Sequence, residues 1–330
     1  MGETYYLFSN GTLSRKDNVL RLKTATGEYK DLKIEMTRDI YIFGEVNVNT
    51  KCLNYMGQLK IPMHIFNYYG FYTGSFYPKE VNVSGKLLIK QVETFLNDEK
   101  KIDVAREFIV GASHNILRNL KYYKNREKDL NNEIIEIESL RNKIKQINTV
   151  QELMGIEGNI RKVYYDSWKK IFNKDVEFEK RVKRPPDNMI NTLISFINTL
   201  VYTTVLSEIY KTQLNPTISF LHSPGERRFS LCLDITEIFK PLIADRMIFS
   251  LINKNMITES DFDTDSNFYY LKEKARKVIL KEYDDRLKET IKHRTLNKYV
   301  SYRHLMRLEC YKLIKFMTEN EEYNSFKIWW

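Results

Sequence analysis

Glycine and proline are scarce, at 12 and 7 in 330 residues. So few chain breakers argue against a disordered chain and fit a globular one. Cysteine is scarcer still. Cys52, Cys232 and Cys310 are odd in number, far apart and without a CxxC pair. That argues against a disulfide framework or thiolate zinc site and for a reducing compartment. No run of about 18 apolar residues stands out. The opening Met1-Gly-Glu-Thr-Tyr-Tyr-Leu-Phe8 lacks the basic and apolar regions of a signal peptide. The expectation is a soluble, cytoplasmic chain with no membrane span.

Positive charge is plentiful. Lysine and arginine number 53 against 43 aspartates and glutamates, a formal net charge of +10 with a pI of about 9.2. This favours a polyanionic partner, nucleic acid or a membrane surface, without choosing between them. Hydrophobic residues make up 42%, enough for a globular chain, and the length favours two domains.

The periodicity changes once along the chain. Residues 1–80 read as a small β-rich domain: Thr4–Phe8, Leu20–Thr24, Ile40–Gly44, Met63–Tyr69 and Phe71–Pro78 have strand character between turn signals. One short helix fits 49–59, with Leu53, Met56 and Leu59 on a face. From about Val83 the period becomes 3.6. Helices are expected near 87–96 (marked by Leu87, Val92, Phe95 and Leu96), 102–123, 127–146, 150–172, 188–212, 234–254, 269–290 and 299–318. The class is therefore α+β, a β domain over 1–80 and a larger all-α domain over 81–330. The charged stretch 127–145 reads as a solvated helix face.

Several residues could carry chemistry. Thr149 and Glu152 form a capping box, but Glu157 lies beyond it, between Gly155 and Gly158. Each glycine inside a helix costs about 1 kcal/mol relative to alanine. Two around one carboxylate mean either close helix packing or the approach of something large. Of five histidines, His222 differs in context, preceding the Ser223-Pro-Gly225 corner. Asp234-Ile-Thr-Glu237 reads first as a helix N-cap with its box, which does not exclude metal binding. Carboxylates with one imidazole suit Mg²⁺ or Mn²⁺ rather than structural zinc. Arg161, Arg227, Arg228, Lys240 and Arg246 could contact phosphates, or form a solvated basic rim. Tyr164, Tyr165 and Trp168 could stack on bases, though core packing suits at least two of them.

The order of these motifs resembles the Cas-one family of CRISPR-associated spacer-acquisition integrases. The resemblance runs through Tyr6-Leu-Phe-Ser-Asn-Gly-Thr-Leu-Ser-Arg-Lys16, Ile40-Tyr-Ile-Phe-Gly44, Gly155-Ile-Glu-Gly158, Arg184-Pro-Pro186, Phe220-Leu-His-Ser-Pro-Gly225, Leu231–Pro241 and Asp245-Arg246, to the terminal Tyr323–Trp330. It implies metal ligands at Glu157, His222 and Glu237, with Asp234 a catalytic acid beside them. It further implies a homodimer built through the β domains, and two such dimers joined by a dimer of the small Cas-two protein into a hetero-hexamer. The implied substrates are double-stranded DNA, a spacer precursor and the repeat array. Insertion would proceed by attack of a 3′-hydroxyl on a backbone phosphate. Two rivals are a stand-alone structure-specific endonuclease, separable by a strand-transfer assay, and a non-enzymatic DNA-binding scaffold that holds no ion. The corner at Arg227 and Arg228 departs from more proline-rich versions of the family.

Overall fold

Alternating stretches near the start of the chain become short strands because each can turn one face inward. They are β1 (Glu3–Leu7), β2 (Gly11–Lys16), β3 (Val19–Thr24), β4 (Tyr29–Leu32), β5 (Thr37–Ile42), β6 (Val46–Val48), β7 (Met63–Phe66) and β8 (Tyr72–Phe76). One helix, α1 (Thr50–Leu59), lies between β6 and β7. The computed structural model describes residues 2–79, 82–183, 185–225, 229–265 and 268–329. Contacts divide the chain into two units, 1–81 with 270–280, and 82–269 with 281–330.

The first unit holds two four-stranded sheets, ordered β1-β5-β7-β8 and β4-β3-β2-β6. β5 pairs in parallel with β1 and β7, matching Tyr5 to Ile40 and Ile40 to Met63. β2 and β3 form an antiparallel pair with Leu13 opposite Leu22. Leu13, Leu20, Leu22, Leu32, Ile40, Ile42, Met56 and Met63 make one buried core. Asn49 caps α1 by accepting the Cys52 N–H at 2.9 Å. Of the face expected on this helix, Met56 is buried but Leu59 is exposed. Residues 270–280, read from sequence as part of the helical domain, belong with this β unit, where Arg276 donates to the Tyr68 carbonyl at 2.8 Å.

The helical segments are α2 (Gly85–Leu96), α3 (Asp98–Lys124), α4 (Asn131–Lys143), α5 (Val150–Asp166), α6 (Trp168–Ile171), α7 (Met189–Tyr210), α8 (Ser230–Phe239), α9 (Arg246–Asn253), α10 (Glu273–Lys288) and α11 (Tyr302–Glu319). Short strands β9 (Phe262–Asp265), β10 (Phe268–Leu271), β11 (Thr290–Lys292) and β12 (Tyr299–Ser301) precede or follow α10. Side-chain caps start several helices: Asn97 accepts from Lys100 N–H for α3, and Asn188 from Asn191 N–H for α7.

α7 is the core helix. Its length and mean hydropathy of 1.5 would allow it to cross a membrane, a feature the sequence reading passed over, but 78% of that window is buried inside the fold. It packs against α8 and α11. Its buried Glu208 is answered by Arg307, at 2.5 Å, and by Lys211. Of the residues that mark α2, Val92 and Leu96 are exposed, and its buried side is Leu87, Gln91 and Thr94. Gln91 faces inward because its amide pairs with backbone groups of Asn215 and Ile218.

The segment 320–329 has no regular structure, yet Tyr323, Phe326 and Ile328 are buried. Side chains supply its hydrogen bonds: Glu107 accepts from Ser325 N–H, Glu309 from Phe326 N–H, and Asn115 from Ile328 N–H. Gly111 makes the room, since a Cβ there would lie 2.5 Å from the Ser325 hydroxyl oxygen. Asn115 also donates to the Ile238 carbonyl on α8. All three cysteines are buried and free.

Candidate active site

α5 starts where its cap predicts, with Thr149 accepting from Glu152 N–H at 3.2 Å. The Glu152 carboxylate takes the Thr149 hydroxyl at 2.8 Å rather than the cap backbone. Two turns on, Glu157 and Arg161 stand one turn apart, and Arg161 Nε donates to Glu157 Oε1 at 3.1 Å. Gly155 and Gly158 are exposed, and a Cβ on either would meet nothing within 4 Å beyond its chain neighbours and its own helix backbone. Close helix packing therefore does not explain these glycines.

The helix carrying Asp234 and Glu237 starts earlier than its pattern suggests, and this corrects the capping-box reading. α8 begins at Ser230 behind Phe229, which offers no side-chain cap, so both acids lie inside the helix. Asp234 is fully buried. Its Oδ2 accepts the N–H groups of Phe220 and Leu221, at 2.7 and 3.0 Å. Its Oδ1 accepts the N–H of His222 at 2.9 Å and the ring Nδ1–H at 2.8 Å. A carboxylate partner assigns the proton to Nδ1 and leaves Nε2 as the nitrogen able to bind a ligand. Burial would lower the His222 pKa, but the hydrogen bond and charge of Asp234, with Glu237 behind, raise it above its ordinary value.

Glu237 is 6% exposed and held by two cations, Arg161 and Lys240. Burial works against its ionisation, yet the charges of Lys240, Arg161 and His222 win and hold the carboxyl well below the usual range. Arg161 is buried as well; the Glu237 charge outweighs the burial cost and keeps it firmly protonated. α8 runs into a π-turn, Pro241–Asp245, of a kind common at functional sites. There Asp245 is buried, which pushes its carboxyl up to about 7 despite the nearby Arg161 and Lys240 charges.

Glu157, His222 and Glu237 line one cavity of about 570 Å³ in the helical unit. Among the described residues, no group of three or more His, Cys, Asp or Glu side chains is arranged to hold an ion. The expected ligands thus share a cavity but not a coordination sphere, because Arg161 and Lys240 occupy the carboxylates. The donors still fit a hard divalent ion: two carboxylates, an imidazole aimed by a buried acid, and a guanidinium standing in as the counter-cation.

The residues expected to bind DNA divide. Lys240 lines the cavity. Arg161 lines it too, but its charge is engaged by the two glutamates. Tyr164 is corrected: it is fully buried, accepting from Asn119 Nδ2 at 3.0 Å, so its ring offers no face to a base. Trp168 is equally buried, whereas Tyr165 reaches the cavity. Half-buried Arg246 is tied to Asn119 Oδ1 at 2.6 Å and does not line the cavity. Arg227, Arg228 and Arg184 lie outside the described residues. Sequence reading missed Lys162, Lys180, Lys183 and Asn198, all lining the cavity. The basic run Lys180-Arg-Val-Lys183 was the available signal.

A β unit is followed by a helical unit in which Glu157, His222 and Glu237 line one cavity with Asp234 behind the imidazole. The family model described as "CRISPR associated protein Cas1" matches residues 5–285, and the chain belongs to that family. A protein of Fusobacterium nucleatum named CRISPR-associated endonuclease Cas1 is 58% identical over 330 residues, covering 100% of this chain and 98% of its own. The structure of a Cas1 protein from Thermotoga maritima, 41% identical, superimposes with a TM-score of 0.88, over 98% of this chain and 100% of that one. A casposase bound to integration product shares the fold at 20% identity and a TM-score of 0.87, over 98% and 94% of the two chains.

Proposed function

We propose that this chain is a metal-dependent DNA endonuclease and strand-transfer integrase of CRISPR adaptation, inserting short DNA duplexes into a repeat array. The observation that carries this reading is the single cavity shared by Glu157, His222 and Glu237, with Asp234 fixing the imidazole. Glu157 and Glu237 would hold Mg²⁺ or Mn²⁺ with Nε2 of His222. Such an ion supplies polarisation of a phosphoryl oxygen and neutralisation of charge on the leaving oxygen. Lys162, Lys180, Lys183 and Lys240 would bind backbone phosphates around it. The open space over Gly158 lets a sugar-phosphate backbone come close to α5. A 3′-hydroxyl held in line with the phosphate gives strand transfer, and water in its place gives cleavage.

The same reading includes a cytoplasmic homodimer that works with a small Cas-two partner in a hetero-hexamer. A strand-transfer assay with Mn²⁺, the partner protein and a repeat substrate tests the site. Glu157→Ala and His222→Ala should each abolish transfer while DNA retention stays largely intact; full activity in both would refute the assignment. Cleavage without any transfer under these conditions would instead mark a stand-alone endonuclease.

A further inference from the structure

Two buried polar atoms close to the carboxylates have no hydrogen-bond partner: Nη1 of Arg161 and Oδ2 of Asp245. Arg161 is 9% exposed and uses its other nitrogens on acids, Nε on Glu157 and Nη2 on Glu237. Asp245, 1% exposed in the π-turn after α8, is near enough to interact electrostatically with Arg161. Tyr164 also acts on this carboxyl by a hydrogen bond, so it is Oδ2 that is left over. Unsatisfied buried groups are costly, and a buried donor and acceptor within electrostatic range of each other allow a second arrangement in which they pair.

We propose that Arg161 is a resident cation which holds Glu157 and Glu237 until a divalent ion binds, then moves its guanidinium to Asp245. The inference rests on the metal reading above and adds a residue to it. Two carboxylates facing one cavity repel unless a positive charge lies between them. A lysine could answer an arriving ion by losing its proton; a guanidinium cannot, so it must move. The empty oxygen of Asp245 gives it a destination without leaving a buried charge unpaired. Ion binding is then always weakened by the contacts that Arg161 gives up. The site stays charge-balanced and ordered without metal, and loads fully only when something else, such as a substrate phosphate, adds to the attraction.

Calorimetric titration of the full chain with Mn²⁺ alone tests this without reference to activity. Arg161→Met should bind Mn²⁺ at least tenfold more tightly than the unaltered protein, and should melt at a lower temperature when metal-free. Asp245→Asn should weaken Mn²⁺ binding in the unaltered background and have no effect beside Arg161→Met. Equal or weaker affinity in Arg161→Met overturns the proposal, and the same Asp245→Asn effect in both backgrounds removes Asp245 as the destination. Should Arg161→Met not fold, a crystal structure of the unaltered protein with Mn²⁺ decides: Arg161 off Glu237 supports the exchange, Arg161 still on Glu237 beside a bound ion overturns it. No Mn²⁺ binding by the unaltered protein at all sinks the metal reading itself, and this inference with it.

Discussion

Nδ1 of His222 donates to Oδ1 of Asp234 at 2.8 Å, and the same carboxylate gathers the backbone N–H groups of residues 220–222. One buried acid therefore shapes the loop and selects the imidazole tautomer together. Asp234→Asn would turn one acceptor towards several donors as a donor itself. Metal-dependent strand transfer should fall about 10- to 100-fold, with about 1–3 kcal/mol of folding stability lost in urea titration. Unchanged transfer would remove Asp234 from the working site.

Gly158 separates stability from activity. A Cβ there meets nothing within 4 Å beyond its chain neighbours and its own helix backbone, but projects from a residue lining the cavity. Gly158→Ala should gain up to about 1 kcal/mol from helix propensity and lose strand transfer through crowding of the DNA. Gly155→Ala, equally open but outside the cavity lining, should gain stability and keep activity. Loss of stability in either variant, or full transfer in Gly158→Ala, contradicts this account.

Asp245 gives a pH dependence whose sign follows from its pKa. Burial pushes the carboxyl up to about 7 in the folded chain, whereas an unfolded aspartate titrates near pH 4. Between those limits the folded state binds the extra proton, so this group makes stability fall as pH rises. Asp245→Asn should flatten that part of the melting-temperature profile from about pH 4 to about pH 7. An identical slope in both proteins would show that Asp245 ionises freely.

DNA binding should weaken steeply with salt, because the cavity offers lysines to phosphates and the chain carries a formal charge of +10. Fluorescence anisotropy across 50–200 mM salt should show a loss of one order of magnitude or more. Replacing Lys180 and Lys183 together should lower the salt slope by up to about two. A flat dependence would mean that DNA does not follow this surface.

The sequence made the two-part architecture legible because alternation near Leu13, Leu20 and Ile40 and the 3.6 period after Val83 are local signals. What failed was the assignment of partners. Leu88, Ile89, Val92 and Leu96 are apolar at helical spacing yet exposed, while Gln91 is buried to satisfy a loop more than a hundred residues away. An Asp-x-x-Glu pattern is the same whether it caps a helix or lies inside one, and only the position of Ser230 settled which applied. Thr203, Thr204 and Glu208 diluted the apolar run of α7, although all three are buried. Glu157 and His222 stood out by their neighbours, the glycines and the Pro-Gly corner. Nothing local could show that Arg161 reaches Glu237, 76 residues on.

Asn115 links the irregular segment at 320–329 to the Ile238 carbonyl, one residue past Glu237. Synthesis from the amino end delivers Glu157, His222 and Glu237 well before Ser325, Phe326 and Ile328 emerge. A chain cut before Ser325 therefore carries every reactive side chain of the cavity while α8 lacks this brace.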